Sequence, residues 1–437
     1  MTWNTLDYSG WGRVHTANGP VARPERRSSL AALQDARPAP AIGMRRSYGD
    51  SCLNDGRDAV DMTRLDRMLG FDAETGVLEV EAGAKIGDIA RRFAGDGWLP
   101  AVMPGTGFAT VGGCIAHDVH GKNHHGAGSF GQHVAEVSLM HNGALETVSP
   151  KKNAALFRAT IGGMGQTGVI VAAKLKLLPC KGDIITVTER RMDTLDQFLE
   201  ALDGSQSTYT VGWIDATARG EALGRGILEE AETGYGLVPD AKRAKSVPFN
   251  APGFALSSPV VRAFNSAYFR RVPEAGRTSV KPITEFFFPL DKLRDWNRLY
   301  GKRGFHQFQC VIPVTEAAIL RAMLDKIAHA GLASPLAVLK RMGPGRAGLM
   351  SFPMEGYTLA VDFPNRGRVA TLIAELEEMT EKAGGRVYLA KDATLDASRL
   401  GKMYPDVAKF AAIAAERDPD GAYETDQTRR LKIRSHA

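Results

Sequence analysis

The residue types able to do chemistry concentrate in residues 104–131, PGTGFATVGGCIAHDVHGKNHHGAGSFG. Eight of these 28 positions are glycine, and His117, His120, His124 and His125 crowd the middle. Glycine in a helix or strand costs roughly 0.5–1 kcal/mol per residue relative to alanine. A chain accepts that loss where its backbone must approach a ligand closely, because bare loops can aim successive N–H groups at one anion. Thr106, Thr110 and Ser129 add hydroxyls, and Lys122 adds a cation. The pattern predicts a diphosphate cradle, with the histidines carried past a reactive ring. Imidazoles also ligate metals, but neither a carboxylate pair nor an HExxH helix accompanies these four, and no metal is expected. His124 and His125 read as hydrogen-bonded structural residues, and Cys52 and Cys114 as small buried hydrophobes.

Elements that would position this loop can be read on both sides of it. Residues 77–82 alternate like a strand, 86–94 carry apolar residues at helical spacing, and 98–103 read as a strand leading into the glycines. Residues 135–140 and 145–148 predict a hairpin around Asn142-Gly143. Gly163, Gly165 and Gly168 spell GxGxxG, but a helix-like ALFRAT precedes them and a β-branched run follows, the reverse of a dinucleotide fingerprint. A second match at Gly343, Gly345 and Gly348 is followed by SFP rather than a helix. Beyond residue 181, strands are expected over 184–190, 208–214, 279–288, 307–312, 337–341 and 357–363. Helices are expected over 194–202, 316–330 and 369–383, giving an antiparallel sheet covered on one face. Residues 1–40 suggest no assignment. Residues 240–275 mix basic, proline and apolar residues without a clear period and read as a lid or a disordered segment. Residues 405–417 form an amphipathic helix.

A chain of 437 residues calls for two domains, one of them discontinuous. Its net charge of +6 is not gathered into blocks, which suits anionic small molecules or a membrane surface and excludes a nucleic-acid module. Four scattered cysteines without a CxxC pair imply a reducing compartment. Neither a signal-peptide pattern nor an apolar run of about 18 residues is present.

Several strings are long and rare in combination: RRSYGD, PGT with TVGG, HGKNHH with AGSFG, LFRATIGG, SFP, VDFP, YLAKD, MYP and the closing RRL. On these, from about residue 40 to the C-terminus, the sequence resembles the flavin oxidases of the vanillyl-alcohol oxidase superfamily with a PCMH-type FAD domain. Within it, the sequence is most similar to the decaprenylphosphoryl-ribose oxidase family. The resemblance implies an α+β fold. A two-subdomain FAD-binding domain would cover residues 1–180, a cap domain with a helix-covered antiparallel sheet 181–385, and a return to the FAD domain 386–437.

It further implies non-covalent FAD, with contacts from Gly43, Arg46, Ser47, Tyr48, Gly49, Pro104, Gly105, Thr106, Thr110, Val111, Gly112, Gly113, His117, Val119, His120, Gly121, Ile170, Tyr388 and Lys391. His120, Lys391 and Lys340 become catalytic candidates, the proton acceptor being either His120 or Lys391. Lys340, Gln307, Gln309 and Phe287 become substrate contacts. The implied reaction oxidises the 2'-hydroxyl of a polyprenyl-phosphoryl-β-D-ribose to the ketone. This is the first half of an epimerisation to arabinose for cell-wall arabinan precursors, completed by a separate short-chain NAD(P)H reductase. A cytoplasmic location with peripheral contact at the inner membrane surface would follow, with 240–275 as the docking segment. An alditol or aldonolactone oxidase is the alternative. Ala360 stands where the family carries a cysteine, Thr358 replaces an asparagine and Phe287 a tyrosine. The first change predicts insensitivity to thiol-trapping inhibitors.

Overall fold

Alternation of apolar and polar residues sets most of the strands, and the structure, a computed structural model describing residues 2–237 and 244–437, assembles them into three main sheets. The first has four strands. Asn4–Ser9 pairs antiparallel with Thr16–Ala22, which runs parallel to Ala59–Asp61, and this in turn runs parallel to Ala41–Ile42. The first two of these strands and the helix Arg27–Ala36 occupy most of residues 1–40, where the sequence suggested nothing.

The second sheet is centred on Val169–Pro179, flanked by Val77–Glu81 and Val134–His141. The expected hairpin forms from Val134–His141 and Ala144–Val148, with Asn142 and Gly143 both at positive φ. Helix Ile86–Phe93 buries Ile86, Ile89, Ala90 and Phe93, a stripe at helical spacing that packs with the sheet in one core.

The third sheet has eight strands, all pairs antiparallel. Helices Leu195–Gly204, Ala317–Ala330 and Val369–Lys382 cover one face, packing on Leu228, Phe308, Leu339 and Leu359. The α+β class is therefore as expected. Three details differ from the sequence reading. Strand Gly226–Gly234, with glutamates at three of its nine positions (Glu229, Glu230 and Glu232), went unread because these polar residues break the apolar alternation. The strand expected over 279–288 is Arg277–Pro282, and Pro282 hands over to a short helix, Ile283–Phe287. Within 240–275, residues 240–243 lie outside the described residues. The remainder contains the helix Ser258–Arg270, whose period is carried by only Val261, Asn265 and Phe269.

The C-terminal segment ties these parts together. Tyr423 sits in a core with Leu30, Val60 and Met140, and Arg430 makes two 2.8 Å bonds to Asp50 and one to Asp392.

Candidate active site

Where the third sheet's uncovered face meets the first two sheets, a cavity of about 830 Å³ opens. That is near the top of the roughly 300–1,000 Å³ range of ligand pockets. Every anticipated site residue lines it except Gly49 and Val111, which stand behind its wall. Val111 is in the core, and a Cβ on Gly49 would fall 1.8 Å from the Asp392 carbonyl oxygen, so only glycine lets the 47–49 turn lie against 390–392. Tyr48 N–H donates across that contact to Ala390 at 3.0 Å.

One end of the cavity suits a diphosphate. Gly105 lines it with nothing within 4 Å of the place a Cβ would occupy. Arg46 lies between the rings of Trp11 and Phe108, its guanidinium 4.1 and 4.8 Å from their centroids, and its buried Nε has no partner. Thr106 also lines this end, but donates its hydroxyl to Asp291 at 2.7 Å. Thr110 caps the helix Val111–Ala116. Two members of the cradle read from the sequence face elsewhere. Ser129 is buried and donates to Asp118 at 2.9 Å, and Lys122 donates to the Phe286 carbonyl at 2.6 Å with its ammonium over that ring. Asp118 is the organiser that sequence reasoning missed. It takes Ser129, Gly131 N–H at 2.7 Å and Ser351, tying the histidine loop to residue 351.

The other end carries titratable side chains on a sheet floor. Strand alternation sends Phe308, Cys310, Leu339 and Leu359 to the helices and Gln307, Gln309, Val338, Lys340, Thr358 and Ala360 to the cavity. Lys340 Nζ lies 3.1 Å from His120 Nδ1, and the Gln309 amide lies 2.9 Å from His120 Nε2 and 3.1 Å from Thr358 Oγ1. Burial, then the nearby Lys340, holds His120 well below its ordinary pKa. Burial, with Lys122 and Lys391, pushes the Lys340 ammonium down to about 7. Lys391 rests on the Tyr48 ring, 3.7 Å from its centroid. Burial lowers it to about 7 against the opposing pull of Asp362, itself fully buried and bonded to Gln307 and Tyr300. Asp362 was not singled out in the sequence, since only the register, Gln307 opposite Asp362, reveals it. His117 lies 3.5 Å from Ser47 Oγ, and Phe287 stacks edge-on against Tyr209 at 4.8 Å. His125 bonds the Ser207 carbonyl at 2.9 Å, a structural role as read, whereas His124 is buried with neither ring nitrogen hydrogen-bonded, unlike the reading.

Comparison with known proteins extends this geometry. A family model described as an FAD binding domain matches residues 28–149. With the loop, the cavity and the floor, this defines an FAD-dependent oxidoreductase acting on a CH–OH group. The chain is 33% identical to decaprenylphosphoryl-beta-D-ribose oxidase of Mycolicibacterium smegmatis over 97% of both chains. It therefore belongs to the decaprenylphosphoryl-β-D-ribose oxidase family. An uncharacterized protein of Streptomyces coelicolor is 30% identical over 77% of this chain and 96% of its own. L-gulono-1,4-lactone dehydrogenase of Mycobacterium tuberculosis is a distant relative, at 22% identity over 97% of this chain and 98% of its own.

Proposed function

We propose that the chain oxidises the 2'-hydroxyl of a polyprenyl-phosphoryl-β-D-ribose to the 2'-keto sugar. The observation that carries this reading is the Lys340–His120–Gln309 cluster facing Lys391 across one cavity, in a chain that matches an oxidase of that substrate end to end. FAD, when bound, accepts the hydride from the alcohol carbon. Arg46, the backbone of residues 43–47 and Gly105 would hold the diphosphate, with the cofactor bound non-covalently.

The protein's own task is to take the hydroxyl proton and fix the sugar. Both His120 nitrogens already have neighbours, Lys340 and Gln309, whereas Lys391 faces the cavity from an aromatic ring. Lys391 in its neutral form is accordingly the proton acceptor, and His120, Lys340 and Gln309 orient the ribose hydroxyls and phosphate. The ketone requires a separate NAD(P)H-dependent reductase to complete epimerisation to the arabinose. No helix among the described residues is long and apolar enough to cross a membrane. A lipid-linked substrate is then met at the membrane surface, and the basic and apolar segment following residue 244 is the docking element.

Anaerobic addition of a polyprenyl-phosphoryl ribose should bleach the bound flavin within seconds, while xylitol and gulonolactone leave it oxidised. Bleaching by either soluble compound in preference to the lipid-linked sugar would replace this reading with that of an alditol or lactone oxidase. Acid precipitation should release the flavin into the supernatant.

A further inference from the structure

A second cavity, of about 660 Å³, lies beside the first, walled by the helix Ser258–Arg270 and by residues 285–300. Trp213, Tyr268, Leu290, Trp296 and Leu336 line both cavities, so the two adjoin across these side chains. The sheet floor leads from one to the other. Register places Gln309 opposite Ala360, Ala360 opposite Val338 and Val338 opposite Trp213, a single row crossing four strands. That row begins at the His120 cluster and ends on an indole whose N–H is already donated to the Pro335 carbonyl at 2.9 Å. Trp213 therefore offers the second cavity only apolar surface, backed by the Tyr268 ring at 4.7 Å. At the far side Val260, Phe264 and Leu299 line the chamber while remaining part exposed, which makes them its mouth. The charged groups that line it are ion-paired, Arg271 with Glu229 at 3.9 Å and with Glu189 behind the wall at 2.8 Å, Lys281 with Glu189 at 3.9 Å, and Lys292 with Glu285 at 3.8 Å. A soluble polyol would leave such a chamber unused.

We infer that this second cavity holds the first isoprenoid units of the substrate's tail, led from the sugar along the Gln309–Trp213 row and out past Val260, Phe264 and Leu299. The inference rests on the polyprenyl-phosphoryl reading above. Each buried methylene changes binding by roughly fourfold, so a tail seated here dominates KM while leaving the oxidised carbon's chemistry alone.

The test uses the FAD-loaded enzyme with farnesyl-phosphoryl-β-D-ribose and methyl-phosphoryl-β-D-ribose, reading flavin bleaching. The wild type should show a KM at least tenfold lower for the farnesyl compound. Val260→Glu should raise that KM at least tenfold, with the methyl compound's KM and both kcat values within twofold. Phe264→Ser, at an exposed position that folding tolerates, should move the same ratio in the same direction. An unchanged farnesyl preference in both variants overturns the channel, as does equal weakening of both substrates. A wild type that bleaches equally well with both also overturns it but leaves the proposed reaction standing, whereas bleaching with neither removes the reaction itself.

Discussion

Lys391 and His120 differ in what their nitrogens already hold. A protonated Lys340 donates to His120 Nδ1, so the imidazole proton sits on Nε2 and the Gln309 amide must turn its oxygen there, in place of the amide nitrogen that the structure sets 2.9 Å from it. When Lys340 is neutral the order can reverse, and the histidine tautomer follows the lysine's charge. Neither state leaves a free lone pair for a substrate hydroxyl. Lys391 has one once it loses its proton, and burial places that loss near pH 7. Because the neutral amine is the active form and its pKa is lowered to about 7, kcat/KM should rise with pH through that value and level off above it. Stopped-flow reduction at a series of pH values checks the limb. Lys391→Met should slow reduction by about 10²–10⁴-fold and abolish the limb while flavin stays bound. Lys391→Arg should not rescue, because a guanidinium keeps its charge; rescue would show that the cation alone matters.

Arg430 binds elements that are far apart in the chain. It bridges Asp50, two residues after Tyr48, and Asp392, the neighbour of Lys391, and both carboxylates are buried. Arg430→Met leaves those charges uncompensated, a change that costs about 3–5 kcal/mol. Thermal unfolding of the variant should start well below the wild type, and the flavin should be lost on gel filtration at concentrations where the wild type keeps it; an unaltered Tm would refute the clamp. The sequence made RRL recognisable as a string but gave it no task, because its partners lie 380 and 38 residues away. Elements whose apolar period matches their burial were legible: the helix Ile86–Phe93, the Asn142-Gly143 hairpin and the three helices over the large sheet. The glycine loop was legible as backbone for a ligand. What its polar residues face was not, since Ser129 and Lys122 are turned by Asp118 and by the Phe286 carbonyl, partners that only the folded chain brings near. Helix Ser258–Arg270 escaped notice because much of its apolar surface points outward, as Phe264 does, and blurs the buried period.

For the molecule as a whole, that outward apolar surface decides how a lipid-linked sugar is reached. Phe249 is 69% exposed and Phe254 74%, on a segment that also carries exposed Lys245, Arg262 and Arg270. Aromatic and basic residues together suit an anionic bilayer, the rings entering the interface and the cations meeting the headgroups. The same helix walls the second cavity, so docking there would set its mouth against the lipid from which the substrate comes. The double variant Phe249→Ser/Phe254→Ser should lower partitioning onto vesicles containing phosphatidylglycerol by about tenfold for each ring, taking about 1.4 kcal/mol as the loss per side chain. Binding should weaken further as salt is raised from 0.05 to 0.5 M, as approximate screening at a Debye length of about 10 Å at 0.1 M requires. Turnover of methyl-phosphoryl ribose in solution should stay unchanged, because neither ring lines the cavity that holds Lys391 and His120. Sedimentation with vesicles gives the partition coefficient directly, and equal binding of wild type and double variant would show that the protein meets its substrate through some other face.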